Sequence, residues 1–303
     1  MRKYFGLTKR NLLIYFKDYQ SILFSMITPI IVFVLYLLFL KDTFVSPIKN
    51  ATIGLEQWIL DEDINMFVNG LLLTGILGTT MITVPYNCLI TIVRDRENKI
   101  DYDISATPIR RVQIVLSYFT ASALSAFIMA AIILTGGLCI MGVQGTLYLG
   151  AKDVAALYGI TFLGAISATS LFMIVVLFFK TSSASGAFLG ILSAACGFVI
   201  GAYIPISQFS EGVQTFCNVF PGSGITVLYR NSLLNPLLDK MNQNIGGLDE
   251  GMFVEAMRET FVFDSHLFGQ TISRSGVVGM VCIVAVVTTI LIGIIYPKIY
   301  QRK

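Results

Sequence analysis

Six stretches of the chain run for 20 residues or more without a charged side chain: about 20–40, 69–93, 112–141, 154–179, 183–203 and 275–297. Each is long enough for a helix, rising about 1.5 Å per residue, to cross a hydrocarbon layer about 30 Å thick. A charge at mid-membrane costs about 2.5–3.5 kcal/mol on insertion scales, so its absence from all six points the same way. No stretch shows the strict alternation of a membrane strand. The pattern predicts an all-α membrane protein with six transmembrane helices in one domain over 1–303.

The polar positions between these runs orient the bundle. Residues 64–93 and 112–151 hold no charge, yet the loop between them, Arg94 to Arg111, holds five cations. With both termini and the even-numbered connections on one side, that side carries 14 of the 21 Lys and Arg but only five of the 18 acids. Cation excess marks the cytoplasmic face, so both termini are expected there. The first span, with no cleavage pattern before it, is expected to stay as an anchor. Residues 1–19 predict an amphipathic helix on the inner membrane surface. Arg2, Lys3, Lys9, Arg10 and Lys17 share one arc facing lipid headgroups, and most aromatic and aliphatic side chains lie opposite.

Composition agrees: 55% of residues are hydrophobic and 13% charged, about half the charge of an average soluble domain. A formal charge of +3 gives no reason to expect nucleic acid. Cys88, Cys139, Cys196, Cys217 and Cys282 have no metal-ligand spacing and read as small packing residues. His266 reads as a surface residue, and Trp58 as an interfacial anchor in an external loop over 41–68.

Within the spans, Pro29 and Pro85 should disturb their helices. Pro85 and Asn87 either line a pathway or serve helix–helix hydrogen bonding. Gly186, Gly190, Ala194, Gly197 and Gly201 place small residues along one face of the fifth span, allowing close approach of another helix from this chain or a second copy. In the 94–111 loop the first part can form a short surface helix, and Thr107-Pro108 reads as the start of the next helix. Residues 204–274 are too polar to span. They contain FPGSGITVLYRNSLL (220–234), whose length suits a re-entrant or interfacial helix.

Several chemistries have no residues to carry them. The chain has no GxxxxGK[ST] phosphate loop, no HExxH or GxSxG, and no acid, base or histidine within a span to relay protons. A transporter of this composition needs an external motor, and no cofactor is expected in the chain itself.

Three stretches resemble the membrane subunit of type 2 ABC exporters, the permease family of antibiotic-resistance and polysaccharide export systems. RNLLIYFKDYQSILFSMITPIIVFVLYLLFL (10–40) is similar to its surface helix and first span. RDRENKIDYDISATPIRRVQIVLSYF (94–119) is similar to its loop between spans two and three, with an RE pair followed by a TPI-x-R string. FPGSGITVLYRNSLL resembles its external helical element. Members often have glycine shortly after the RE pair, where this chain has Lys99.

The resemblance implies two permease copies, a homodimer, working with two copies of a separate cytoplasmic ABC ATPase that binds ATP and magnesium, in a bacterial plasma membrane. Residues 94–104 would form the coupling helix. Arg94, Asp95, Arg96 and Glu97 would be its contacts, and Arg110 and Arg111 would anchor the next helix. The small-residue face of span five, with span one, would form the dimer seam. Apolar, aromatic spans favour a hydrophobic or amphipathic cargo such as a drug, peptide or lipid-like toxin. Two other readings stand beside this one: a cation-coupled secondary transporter, and a non-transporting membrane scaffold or immunity protein.

Overall fold

The computed structural model describes residues 2–52, 54, 57–267 and 270–299. The protein is an all-α, multi-pass membrane protein. Among the described residues six helices are long and apolar enough to cross a membrane, and they overlap the six uncharged stretches.

Helix α1 (Arg2–Lys17) ends at Asp18, whose carboxylate accepts from the Gln20 and Ser21 N–H groups and so caps α2 (Tyr19–Leu35). A carboxylate here satisfies donors that a new helix leaves open, which is why the chain turns at this residue. Pro29 lies inside α2. Its missing N–H leaves the Ser25 carbonyl without a helical partner. The Thr83 hydroxyl of α4 (Asp61–Glu97) donates to that carbonyl at 2.7 Å.

The chain stays helical beyond α2, through a π-helical turn (Tyr36–Leu40) into α3 (Lys41–Ala51). The loop expected over 41–68 is therefore short. Asp61, Glu62 and Asp63 open α4 early because acids in a first turn complement the positive end of the helix dipole. Trp58 sits in the intervening turn, 37% exposed.

Helix α4 is the central column. Its most apolar window is 83% buried inside the protein, against 22% for α6 (Arg111–Gln144) and α8 (Ser182–Val199), so those two face outward. Around it pack α2, α6, α7 (Ala151–Leu177), α8 and α10 (Pro221–Ile245). Hydroxyl groups stitch the column to its neighbours. Ser122 of α6 donates to the Pro85 carbonyl at 2.9 Å, and Tyr86 bonds Ser185 of α8 at 3.0 Å. Helix α12 (Arg274–Ile299) lies on α7, where the Thr288 hydroxyl donates to Ser170 at 2.8 Å. The basic tail expected past it, Arg302 and Lys303, lies outside the described residues.

The 204–274 segment folds as α9 (Glu211–Val219), α10, α11 (Met252–Thr260) and a hairpin of β1 (Ser265–Leu267) with β2 (Gln270–Ile272). The short apolar stretch is the first half of a 25-residue helix, α10, packed on α4, α7 and α12. Its elbow at Phe220-Pro221 lies beside Ile82 and Phe172. Arg230, 4% exposed, holds this region together by donating to carbonyls at the ends of two helices. It reaches Ile200 and Gly201 after α8 (3.3 and 2.9 Å), and Phe261 and Val262 after α11 (2.9 and 3.4 Å). Helix C-termini carry partial negative charge, so two of them can hold a buried guanidinium without an acid.

Candidate functional site

Four consecutive residues at the C-terminal end of α4 each reach a different set of partners. Side chains in a row on a helix stand about 100° apart, so four of them sweep most of its circumference. Arg94 donates to Asp18, the cap of α2, at 3.3 Å. Asp95, 3% exposed, takes a two-bonded grip from Arg10 of α1 at 2.7 and 2.8 Å and a hydrogen bond from the Tyr118 hydroxyl of α6. Arg96 donates to the Leu177 and Phe179 carbonyls at 3.3 and 3.2 Å, at the C-terminal end of α7. Glu97 accepts from the Ser182 N–H at 2.8 Å and from the Ser182 hydroxyl, at the first turn of α8.

The signs are matched. A cation stands at the negative end of α7 and an anion at the positive end of α8, each on the favourable side of a helix dipole. Hydrogen bonding from Arg10 to Asp95 raises the guanidinium pKa, outweighing the opposing effect of burial. Burial pushes the Asp18 carboxyl up, but the Ser21 hydroxyl and N–H and the Arg94 guanidinium outweigh it, leaving Asp18 below the usual carboxylate range. Both groups stay charged near neutral pH.

The stretch expected to form one coupling helix over 94–104 is thus divided. Residues 94–97 belong to α4 and bond inward. After them Lys99 takes a left-handed conformation (φ 62°), and α5 (Ile100–Ala106) follows with no buried residue. Tyr102 is 59% exposed, and Asp103, Ser105 and Ala106 are also exposed. The Lys99 turn asks for a positive φ, which glycine would adopt without steric cost.

Thr107 and Pro108 do not begin the next helix. The Thr107 hydroxyl bonds back to Ile104, and α6 starts at Arg111, with the Gln113 side chain accepting from the Arg110 N–H at 3.3 Å. Arg110 and Arg111 are exposed at that start. Lys3 of α1 donates to the Pro108 carbonyl at 3.4 Å, holding α1 beside the linker. Arg10 leaves the expected headgroup arc to bind Asp95.

Next to this cluster, a groove of about 880 Å³ opens between α2, α4 and α8. Phe24, Ile27, Ile31 and Leu189 supply apolar walls, and Arg94 and Asp18 stand at its charged end. Asn87 touches both the groove and a neighbouring helix. It lines the groove, and its amide donates to the Ser21 carbonyl and to Ser25 of α2. Tyr15 of α1 joins the same network by donating to Ser25 at 3.0 Å. Pro85 does not line the groove; its carbonyl is turned to α6.

The small-residue face also divides. Gly186, Gly190 and Ala194 are exposed and line the groove, and a Cβ at either glycine would meet nothing within 4 Å. Gly197 is filled from within the chain, since a Cβ there would strike the Tyr203 ring at 2.2 Å. Gly201 lies beyond the end of α8 in a left-handed turn (φ 67°).

Sequence reasoning missed Arg10, Asp18, Tyr118 and Ser182 as partners of the 94–97 string. The one available signal was an acid, Asp18, in an otherwise basic flank. A family model described as ABC-2 type transporter matches residues 2–234. No curated protein and no solved structure matches the chain.

Proposed function

The chain belongs to the ABC-2 type transporter family, and from that premise we propose that it is the permease subunit of an ATP-driven exporter, coupled to its motor through α5. The observation that carries this reading is a division of labour within one loop. Helix α5 has no buried residue and exposes Tyr102, Asp103, Ser105 and Ala106, while the four residues before it are bonded to α1, α2, α6, α7 and α8. A force on α5 enters the C-terminal end of α4 and is spread at once to the five helices bonded there.

In this reading α5 seats in a separate cytoplasmic ABC ATPase, which binds ATP and magnesium. Closure of the ATPase moves α5, and the 94–97 string passes the displacement to α2 and α8, the two walls of the groove. Arg110 and Arg111 anchor α6 at the membrane surface. A second copy of the chain meets the first across α2 and the open Gly186–Gly190–Ala194 face, so that the two grooves join into one pathway. Its apolar walls suit a hydrophobic or amphipathic cargo, such as a drug, peptide or lipid-like toxin. The cation distribution supports cytoplasmic termini; in this reading the membrane is a bacterial plasma membrane, α1 lies in its inner surface and the α9–α10 elbow re-enters from outside.

The test is purification of the chain from its native membrane in mild detergent. The expected result is a stoichiometric ATPase whose hydrolysis responds to hydrophobic cargo. A chain that emerges alone, under conditions that preserve known complexes, would count against the reading.

A further inference from the structure

On the side of the bundle away from the α2–α8 groove, α6 and α12 both lie against α7 but hardly touch each other. A second groove, of about 190 Å³, runs between them. Val115 and Phe119 form one wall, Ile292 and Gly293 the other, and Met173 of α7, fully buried, closes the floor. A Cβ at Gly293 would meet nothing within 4 Å, so the groove has room there for a side chain or an acyl chain. Arg111 stands at the mouth with Arg110 beside it. Both are exposed, and neither forms an ion pair among the described residues.

We propose that this groove binds one anionic phospholipid, with an acyl chain along the Met173 floor and the phosphate between Arg110 and Arg111. An apolar furrow at membrane depth is filled by hydrocarbon, since an empty one forfeits dispersion contacts along its whole lining. That alone would take any lipid. The choice of an anionic one comes from the mouth, where two unpaired cations face the headgroup layer and no acid is among the lining residues. The inference depends on α6, α7 and α12 being membrane spans. It does not depend on the exporter reading, so the two can fail separately.

Brominated-lipid quenching in vesicles tests it on the full chain. Trp58→Phe with Phe119→Trp leaves one indole, in the groove wall. Brominated phosphatidylglycerol is then compared with brominated phosphatidylcholine. The anionic lipid is expected to bind about thirtyfold more tightly, from roughly fivefold for each of the two basic side chains near the headgroups. Arg110→Gln with Arg111→Gln should bring the ratio near one, while lysine at both positions should keep it. Gly293→Leu should fill the groove and weaken quenching by both lipids. Equal binding of the two lipids would overturn the proposal. So would a preference that survives the glutamine pair, or quenching unchanged by Gly293→Leu.

Discussion

Arg10 and Asp95, 85 residues apart, meet through two parallel hydrogen bonds of 2.7 and 2.8 Å, with the Asp95 side chain 4% exposed and that of Arg10 32% exposed. The pair fastens the surface helix α1 to the end of the central column. A carboxylate this buried is tolerable only while its partner is present, so losing either residue alone should be worse than losing both. Arg10→Met and Asp95→Asn should each lower thermal stability in detergent, and the double replacement should recover about 2 kcal/mol of coupling in a double-mutant cycle. Additive effects would mean that the pair is not coupled.

The proline in α2 is compensated by a neighbouring helix. Thr83→Val removes the hydroxyl that serves the Ser25 carbonyl and should destabilise the chain by about 1 kcal/mol. Pro29→Ala restores an N–H to that carbonyl. In the Pro29→Ala background the cost of Thr83→Val should shrink, and unfolding midpoints of the four combinations measure it.

Lys99 holds a left-handed conformation on an exposed turn with no side-chain bond of its own among the described residues. Lys99→Gly should therefore stabilise the chain, by about 1 kcal/mol, while Lys99→Val should destabilise it. Melting of the two variants beside the parent checks the sign.

Gly190 faces open space. Gly190→Leu should leave folding of the single chain intact, because nothing within the chain obstructs the new side chain. It should reduce assembly of two copies, read by cysteine cross-linking between α8 helices in membranes. Undiminished cross-linking would remove α8 from the seam.

Much of the architecture was legible because hydrocarbon permits so few solutions: the six uncharged runs became the six long apolar helices. The charged loop over 94–111 was legible as a place. Its inner arrangement was not, because the direction of each side chain from Arg94 to Glu97 depends on which helices surround α4. Bonding of Glu97 to Ser182 or Arg96 to Phe179 spans more than 80 residues and leaves no local pattern. Helix α10 was legible over 220–234 as a short helix, but its burial and its full length were not. Arg230 and Asn231 make its sequence look too polar to bury, yet both donate to backbone carbonyls from distant turns. Gly197 and Gly201 fit the small-residue repeat by spacing alone; Tyr203 and the end of α8 take them out of it.

The central claim is that α5 receives the force of a separate ATPase. Photo-cross-linking in native membranes tests it directly, with a photoreactive residue replacing exposed Tyr102 and, as a control, exposed Leu248 at the opposite end of the bundle. The account predicts one ATP-binding adduct at position 102, changing in yield with nucleotide, and none at position 248. No ATP-binding adduct at position 102, in membranes where the chain is folded and abundant, would contradict it.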